Sequence, residues 1–320
     1  MLVHALLQPL SSGAGCKAFP RPELSPTDAQ PTHRHAFGDT EMPNSVRLLL
    51  APLLVLLCAW SSLLLAQSLP VAVNVSGNVA TVRIGLSNNP VADLTLSFDD
   101  ASGLSAASLG ISAEMVNVSD PALLARLPGG SLTTMSSSFP VMITVEPPTL
   151  GGLSQHRIVH VEVHTHALPY IAGSPLRLFK AQLGSPFRDI TESVMPGSVR
   201  TRGTTPGWSQ FIIVADLRAT PEVIVGKFAY LRNQLAALPT SERDPLASLL
   251  DLAEAAVADA RYDDAAAALD SFNARVSARA GTFIPDLWRA TRDSQNIAGE
   301  LLSGANTLGF SIGYLRDFGI

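Results

Sequence analysis

Cysteine and lysine are scarce in this chain of 320 residues. Both cysteines, Cys16 and Cys58, precede residue 67, so the later chain has no thiol for a disulfide, a thiol nucleophile or a thiolate metal site. Its only lysines are Lys180 and Lys227. The net charge is −5, and no cluster of basic residues supplies the positive surface that nucleic-acid binding requires. We therefore expect no nucleic-acid partner.

One long apolar segment stands out from this mixed composition. Residues 48–66 read LLLAPLLVLLCAWSSLLLA, follow Met42 and a single cation, and end at the polar Gln67. A short positive region, an apolar region and a small residue before the cut are the parts of a secretory signal. We expect residues 42–66 to be a signal peptide and the remaining chain to be exported, to the periplasm or the extracellular space.

The alternative for this segment is an uncleaved membrane anchor, because a spanning helix needs about 20 apolar residues. Pro52 and a pair of serines weaken such a helix, and the membrane would be a partner only through this leader. Residues 1–41 show no hydrophobic periodicity. We expect them to be untranslated sequence ahead of a start at Met42, or a disordered extension.

Residues 67–218 alternate between apolar and polar side chains, with turn residues between the alternating runs. This period of two predicts an antiparallel β-sandwich. Asp120 and Pro121 predict one short helix, and Asp99 with Asp100 indicates a turn cap. The apolar positions of the predicted strands are Val71, Val73, Val75, Val82, Ile84, Leu86, Leu94, Leu96, Phe98, Val141, Ile143, Val145, Val159, Val161, Val163, Leu176, Leu178, Phe211 and Ile213.

Residues 219–320 change to the helical period of 3.6, which predicts a bundle of three to four helices. The fourth predicted helix includes Trp288, and the stretch 310–320 is expected to be irregular. The fold class is therefore α+β, as two segregated domains: a β-sandwich followed by an α-helical bundle. The predicted helix starts are Thr220 with Pro221, Asp244 with Pro245, Asp263 or Asp264, and Pro285.

Two runs of sequence carry a resemblance to known families. LRLFKAQLGSPFRDITESV, closed by WSQFIIVADLR, resembles the last strands of Ig-like modules in bacterial surface proteins. LLDLAEAAVADARYDDAAAALDSFNARVSARAG is similar to small helical modules appended to secreted bacterial proteins, and residues 68–320 as a whole resemble an exported bacterial family of unknown function. The resemblance implies an Ig-like sandwich with a helical module and no assigned activity. The Ig-like positions are Leu178, Phe179, Lys180, Phe187, Asp189, Ile190, Thr191, Trp208, Ser209 and Phe211.

The four histidines beyond residue 67 all lie in the run QHRIVHVEVHTHALP. Alternate residues of a strand share one face, which places His160, Glu162, His164 and His166 together and the valines between them on the other face. Three imidazoles and one carboxylate suit a zinc ion, and an open coordination position would activate water for hydrolysis. The competing interpretation is a half-exposed strand with valines inward and polar residues outward.

The sequence contains no phosphate-binding loop and no His-Glu-x-x-His helix. Trp208 suits either a sugar platform or a core position, and its place in a predicted strand favours the core. We expect an exported cell-envelope protein with a non-catalytic binding or structural role, no cofactor, and an envelope protein or glycan as partner. The alternatives are a zinc-dependent hydrolase that uses the histidine strand and a periplasmic assembly factor that docks through its helical part.

Overall fold

The computed structural model describes residues 66–319, which lie in one compact unit. The predicted extension at 1–41 and the predicted signal peptide at 42–66 lie outside the described residues, except for residue 66. Among the helices of the described range, none combines the length and the apolar character that crossing a membrane would require.

Two antiparallel sheets of seven strands each account for the strands in the described range. Sheet A has the order β1-β5-β7-β13-β9-β10, with β6 beside β13; sheet B has the order β11-β12-β8-β4-β3-β2, with β14 beside β8. Sheet A consists of β1 (Gln67–Leu69), β5 (Ile111–Met115), β6 (Thr133–Thr134), β7 (Val141–Val145), β9 (Leu176–Ala181), β10 (Arg188–Asp189) and β13 (Gln210–Asp216). Sheet B consists of β2 (Val71–Ser76), β3 (Val79–Leu86), β4 (Asn89–Ser102), β8 (Ser154–Thr165), β11 (Thr191–Met195), β12 (Val199–Thr205) and β14 (Leu287–Arg289).

The alternation predicted for β3, β4 and β8 is confirmed, except that Leu86 at the end of β3 is 61% exposed; β9 is buried at every position and does not alternate. Leu94 and Leu96 on β4 are fully buried and meet Val141 and Ile143 of β7 in one apolar cluster that joins the two sheets. The opposite face of sheet A is also covered, and Phe179 is buried there. Sheet A therefore contacts apolar side chains on both faces, and Arg177, Lys180 and Asp189 of β9 and β10 are buried within it.

Two short helices interrupt the strands and four longer helices follow them within the described residues. Asp120 caps the second short helix through its carboxylate, 3.0 Å from the backbone nitrogen of Ala122, as predicted. The expected three to four helices beyond residue 219 are confirmed. The helices are α1 (Ala106–Leu109), α2 (Pro121–Leu124), α3 (Thr220–Leu235), α4 (Thr240–Ala258), α5 (Tyr262–Arg279) and α6 (Ile297–Phe318).

The last part of the chain was predicted wrongly in two respects. Trp288 lies in strand β14, which pairs with β8, and the fourth long helix begins at Ile297 instead of Pro285. The stretch 310–320 is not irregular, because α6 continues to Phe318. A strand of three residues has too little sequence to show a period of two, and its backbone groups find their partners only on β8.

Three predicted boundaries also differ from the structure. The turn expected at Asp99 and Asp100 lies inside β4, where the register shifts at a β-bulge. Helix α3 begins at Thr220, with Ala219 as its cap. Helix α4 begins at Thr240 instead of Asp244, and its first turn is held by buried Glu242, which accepts from Arg279 of α5.

The helices and the sheets share contacts that the predicted separation at 218/219 does not anticipate. Helix α6 contacts β8, β11 and β12, and Ile158 of β8 belongs to the apolar cluster of the helices. The observed class is a mixed α+β fold with two antiparallel sheets and helices. The separation into domains at 67–218 and 219–320 stays a prediction.

Candidate functional site: the tryptophan cavity

A cavity of about 620 Å³ opens where sheet A, strand β14 and the first turn of α6 meet. Its volume lies in the range of small-molecule sites, roughly 300–1,000 Å³. We call it the tryptophan cavity because Trp208 and Trp288 both line it. Its wall also includes Lys180, Ser209, Ser294, Glu146, Arg292 and Glu300.

The two tryptophans come from different sheets and meet edge to face. Trp208 lies two residues before β13 and is 5% exposed, in contact with Phe98 of the sheet core at a ring distance of 5.3 Å. Trp288 on β14 is half-buried, with its ring 6.4 Å from Trp208 at an angle of 80°. Gly207 permits this approach, since a Cβ there would lie 3.1 Å from the Trp288 ring. The core position predicted for Trp208 is confirmed, although the residue also reaches a cavity.

Three polar atoms of the lining have no hydrogen-bond partner among residues 66–319. They are the Nε1 of Trp208 and the Oγ atoms of Ser209 and Ser294. Ser209 is 2% exposed. A buried donor without a partner costs about 1–3 kcal/mol, so these three lining residues have unmet hydrogen-bonding capacity, and the three atoms themselves are shielded from water.

Lys180 lies on β9 with its side chain buried at 5% exposure. Its Nζ atom lies 2.5 Å from the Oγ1 of Thr205, and this is its one hydrogen bond within the described chain. Burial lowers the pKa of the Lys180 ammonium from 10.5 to about 7, because the low-dielectric surroundings disfavour the charged form. The cavity therefore contains an amine that is half-protonated near neutral pH.

The acidic residues of the cavity already have cationic partners. Glu300 accepts from Arg188 at 2.8 Å and from the hydroxyl of Tyr230. Glu146 accepts from Arg292, whose guanidinium also lies 5.0 Å from the ring of Trp288. Burial raises the pKa of the Tyr230 phenol, so this hydroxyl remains a donor. Neither carboxylate forms a direct ion pair with Lys180.

Lys227, the other lysine beyond residue 67, has the opposite environment. Its Nζ donates to Asp189 at 2.6 Å, to the carbonyl and hydroxyl oxygens of Thr307, and to Ser311 at 2.8 Å. Burial alone would raise the pKa of Asp189, but the charge of Lys227 together with the hydrogen bonds from Lys227 and Thr191 lowers that pKa. This ion pair connects α3 and α6 to β10, and every donor of the ammonium is used, which assigns Lys227 to the structure of the fold.

The histidine strand places its side chains on the face that was predicted, but with separate partners. His160 Nε2 lies 3.6 Å from Asp99 Oδ1, and this carboxylate raises the pKa of His160 above 6.5. Glu162 is ion-paired with Arg202. The valines between them are buried, as expected.

His164 and His166 are the one close pair of this set, with ring centres 4.7 Å apart. His164 is engaged by the hydroxyl of Ser198 and lies 3.8 Å from Asp93. Burial, followed by the charge of Arg200, lowers the pKa of His164. In the part of the chain that the structure covers, no three His, Asp or Glu side chains are grouped to hold one metal ion. Zinc at residues 160–166 stays a prediction.

The run Gly309-Phe310-Ser311-Ile312-Gly313 matches the spacing of a serine-hydrolase elbow. An elbow needs a sharp turn between a strand and a helix, with an exposed nucleophile. Ser311 lies inside α6, is 3% exposed, and accepts from Lys227. The structure therefore assigns this serine to the ion-pair network and not to catalysis.

Comparison with known proteins gives one match. Residues 54–316 match a protein family described as a family of unknown function (DUF6689). The chain belongs to this family. The match encloses every residue that lines the tryptophan cavity. No curated protein and no solved structure matches the chain. The resemblance to a family of unknown function is confirmed, while its bacterial, exported and Ig-like character stays a prediction.

Sequence reasoning identified Trp208 but missed the rest of the cavity. Lys180 was noted only as a matched strand position, and Trp288 was placed in a helix. The scarcity of lysine was the available signal. Lys180 stands between Phe179 and Ala181 in a largely apolar strand, which indicates a buried amine.

Proposed function

We propose that this protein is an exported envelope protein that binds a glycan in the tryptophan cavity without catalysing a reaction. The observation that carries the proposal is the combination of two indole rings with unpaired buried donors around one cavity. Indole rings offer flat apolar faces to sugar C–H groups, and N–H and O–H groups hold the sugar oxygens.

The histidine strand does not favour the hydrolase alternative, since its side chains are shared among Asp99, Arg202 and Ser198. Within the cavity, both carboxylates form ion pairs with arginines, so neither is placed as a free acid or base. These arrangements support binding over chemistry. The docking role of the helical part has no specific observation in its favour.

Export and the Ig-like class form the second part of the proposal. The leader at residues 42–66 supports export, and the cysteine-free chain beyond it is compatible with an oxidising compartment. The pairing of β9 with both β10 and β13 brings the Ig-like positions Leu178, Asp189 and Phe211 together in sheet A, which supports the Ig-like part of the proposal. Mass spectrometry of the mature protein tests export: we expect Gln67 as the first residue, and a retained leader would contradict the proposal.

The binding role is testable through the tryptophans themselves. The mature chain would contain only Trp208 and Trp288, so intrinsic fluorescence reports on the cavity. We expect titration with envelope oligosaccharides to change the emission and to leave the glycan intact. Trp288→Ala should weaken binding about tenfold, which corresponds to about 1.4 kcal/mol.

Phe283 provides the matched control, because it is an aromatic residue that is 51% exposed and does not line the cavity. Phe283→Ala should leave the affinity unchanged. Circular dichroism of both variants establishes that the fold is retained. Equal losses in the two variants, or the absence of any glycan binding by the native protein, would refute the assignment of the site.

A further inference from the structure

Two side chains of the cavity wall, Trp208 and Lys180, have donors without acceptors among residues 66–319. The unpaired indole N–H of Trp208 can only donate, and an ammonium at Lys180 would offer three donors, of which Thr205 uses one. Both carboxylates of the lining are held by arginines or a tyrosine. A ligand that fills this wall must therefore bring acceptors, and the strongest acceptor for a buried amine is an anion.

The comparison of the two buried lysines sharpens this requirement. Lys227 has a carboxylate, Asp189, at 2.6 Å and three further oxygen acceptors. Lys180 is as deeply buried, yet has one neutral partner. Within the described chain no carboxylate lies within hydrogen-bond distance of Lys180, whereas a cavity lies beside it.

We propose that the tryptophan cavity selects acidic glycans, and that Lys180 receives the carboxylate of a uronic-acid residue. The proposal rests on the glycan-binding function proposed above and names the class of glycan. The carboxylate takes the place that Asp189 occupies at Lys227. The indole N–H of Trp208 and the hydroxyl of Ser209 are the neighbouring donors for its oxygens or for the sugar hydroxyls.

Binding is coupled to uptake of a proton by Lys180. In the free protein, burial keeps the pKa of this amine at about 7, and an anion in contact with it favours the charged form. The groups that act on Lys180 from neighbouring elements are Glu300 on α6, which favours the charge, and Arg188 on β10, which opposes it. Affinity for the acid should therefore fall as pH rises above neutrality.

The experiment compares trigalacturonate with its methyl ester, which has the same sugar framework without the charges. For the native protein at about pH 6, we expect the acid to bind about tenfold or more tightly than the ester, as for one charged hydrogen-bonded contact. Raising the pH to about 9 should remove most of this preference and leave the affinity for the ester unchanged.

Lys180→Met should bind the acid and the ester with equal affinity. Lys180→Gln serves as a second variant that retains a polar side chain, and Arg292→Gln tests whether a charge at the rim gives the same effect. Native binding of the ester without preference for the acid would overturn the uronic-acid proposal and leave glycan binding standing. A preference that persists in both Lys180 variants would also overturn it. Binding of neither probe would overturn both proposals.

Discussion

Replacing Lys180 by methionine removes a buried amine and keeps a long, unbranched side chain of similar shape. The native side chain is 5% exposed and has a single hydrogen bond, so its charged form gains little from the protein. In the unfolded chain the same amine is fully hydrated. The variant is therefore expected to be more stable than the native protein at neutral pH, which is unusual for a core substitution.

The pH dependence gives this prediction a specific sign. The pKa of Lys180 is 10.5 when unfolded and about 7 when folded. Below about pH 7 both states hold the proton, and above 10.5 neither does, so this amine contributes no slope in those ranges. Between them the unfolded state binds more protons than the folded state. Raising the pH through this window therefore stabilises the native protein by up to about 1.4 kcal/mol per pH unit.

The measurable consequence is a stability difference that narrows with pH. From the two pKa values, the advantage of Lys180→Met should be several kcal/mol at about pH 7 and smaller by about 2 kcal/mol at about pH 9. Urea denaturation of both proteins, followed by circular dichroism across this range, measures the difference. Every other titrating group is common to the two proteins and cancels to first order.

Two results would refute the reasoning. A stability difference that does not change with pH would show that the amine of Lys180 keeps its ordinary pKa and is therefore hydrated. A stability difference that widens as pH rises would show that deprotonation of Lys180 destabilises the native protein, so that its folded pKa lies above its unfolded pKa. The decisive quantity is the change of the stability difference with pH, and not its absolute size. Packing of the methionine adds an amount that does not depend on pH, of either sign, to the free energy of unfolding.

Three further predictions follow from single contacts. Gly299→Ala should destabilise the fold by about 1–3 kcal/mol, because a Cβ there would lie 2.5 Å from a backbone oxygen of β8. Gly313→Ala in the same helix should stabilise the fold by about 0.5–1 kcal/mol, because a Cβ at this position would have no atom within 4 Å. Similar unfolding midpoints for the two variants would contradict this difference. Lys227→Met should cost about 3–5 kcal/mol by thermal or urea unfolding, since it leaves a buried carboxylate unpaired; a change near zero would contradict the ion-pair assignment. NMR titration should find the pKa of His160 above 6.5, and closer to 6.5 in the Asp99→Asn variant. The contact of His160 with Asp99 therefore stabilises the fold below pH 6.5, and this contribution is lost as pH rises through the folded pKa. An unchanged pKa of His160 in the variant would exclude Asp99 as the cause.

Local patterns in the sequence predicted those strands and helices in which every second residue, or every third to fourth, faces the core. The valines of β8 and the leucines of β4 alternate because one face of each strand meets the other sheet, and this alternation is visible in a window of five residues. Asp120 with Pro121 predicted a helix start because the cap acts on the next two residues of the chain, which are also close in sequence. The long helices likewise showed their apolar stripe, although their first turns depend on contacts such as Glu242 with Arg279.

The site could not be predicted in this way, because its parts are brought together by pairing between distant segments. Trp288 reaches Trp208 only because β14 pairs with β8, and three residues carry no period that reveals such a strand. The local sequence does not show that Lys180 and Lys227 have different partners, since apolar residues precede both lysines.

By itself the sequence determined most strands, the first three long helices, the absence of cysteine beyond residue 67 and the membership of a family without known function. Tertiary structure decided which polar groups are left without partners. Lys227 has Asp189 opposite it, and Lys180 has a cavity. The physical reason is that a hydrogen bond is satisfied by atoms close in space, while a sequence pattern records only neighbours along the chain.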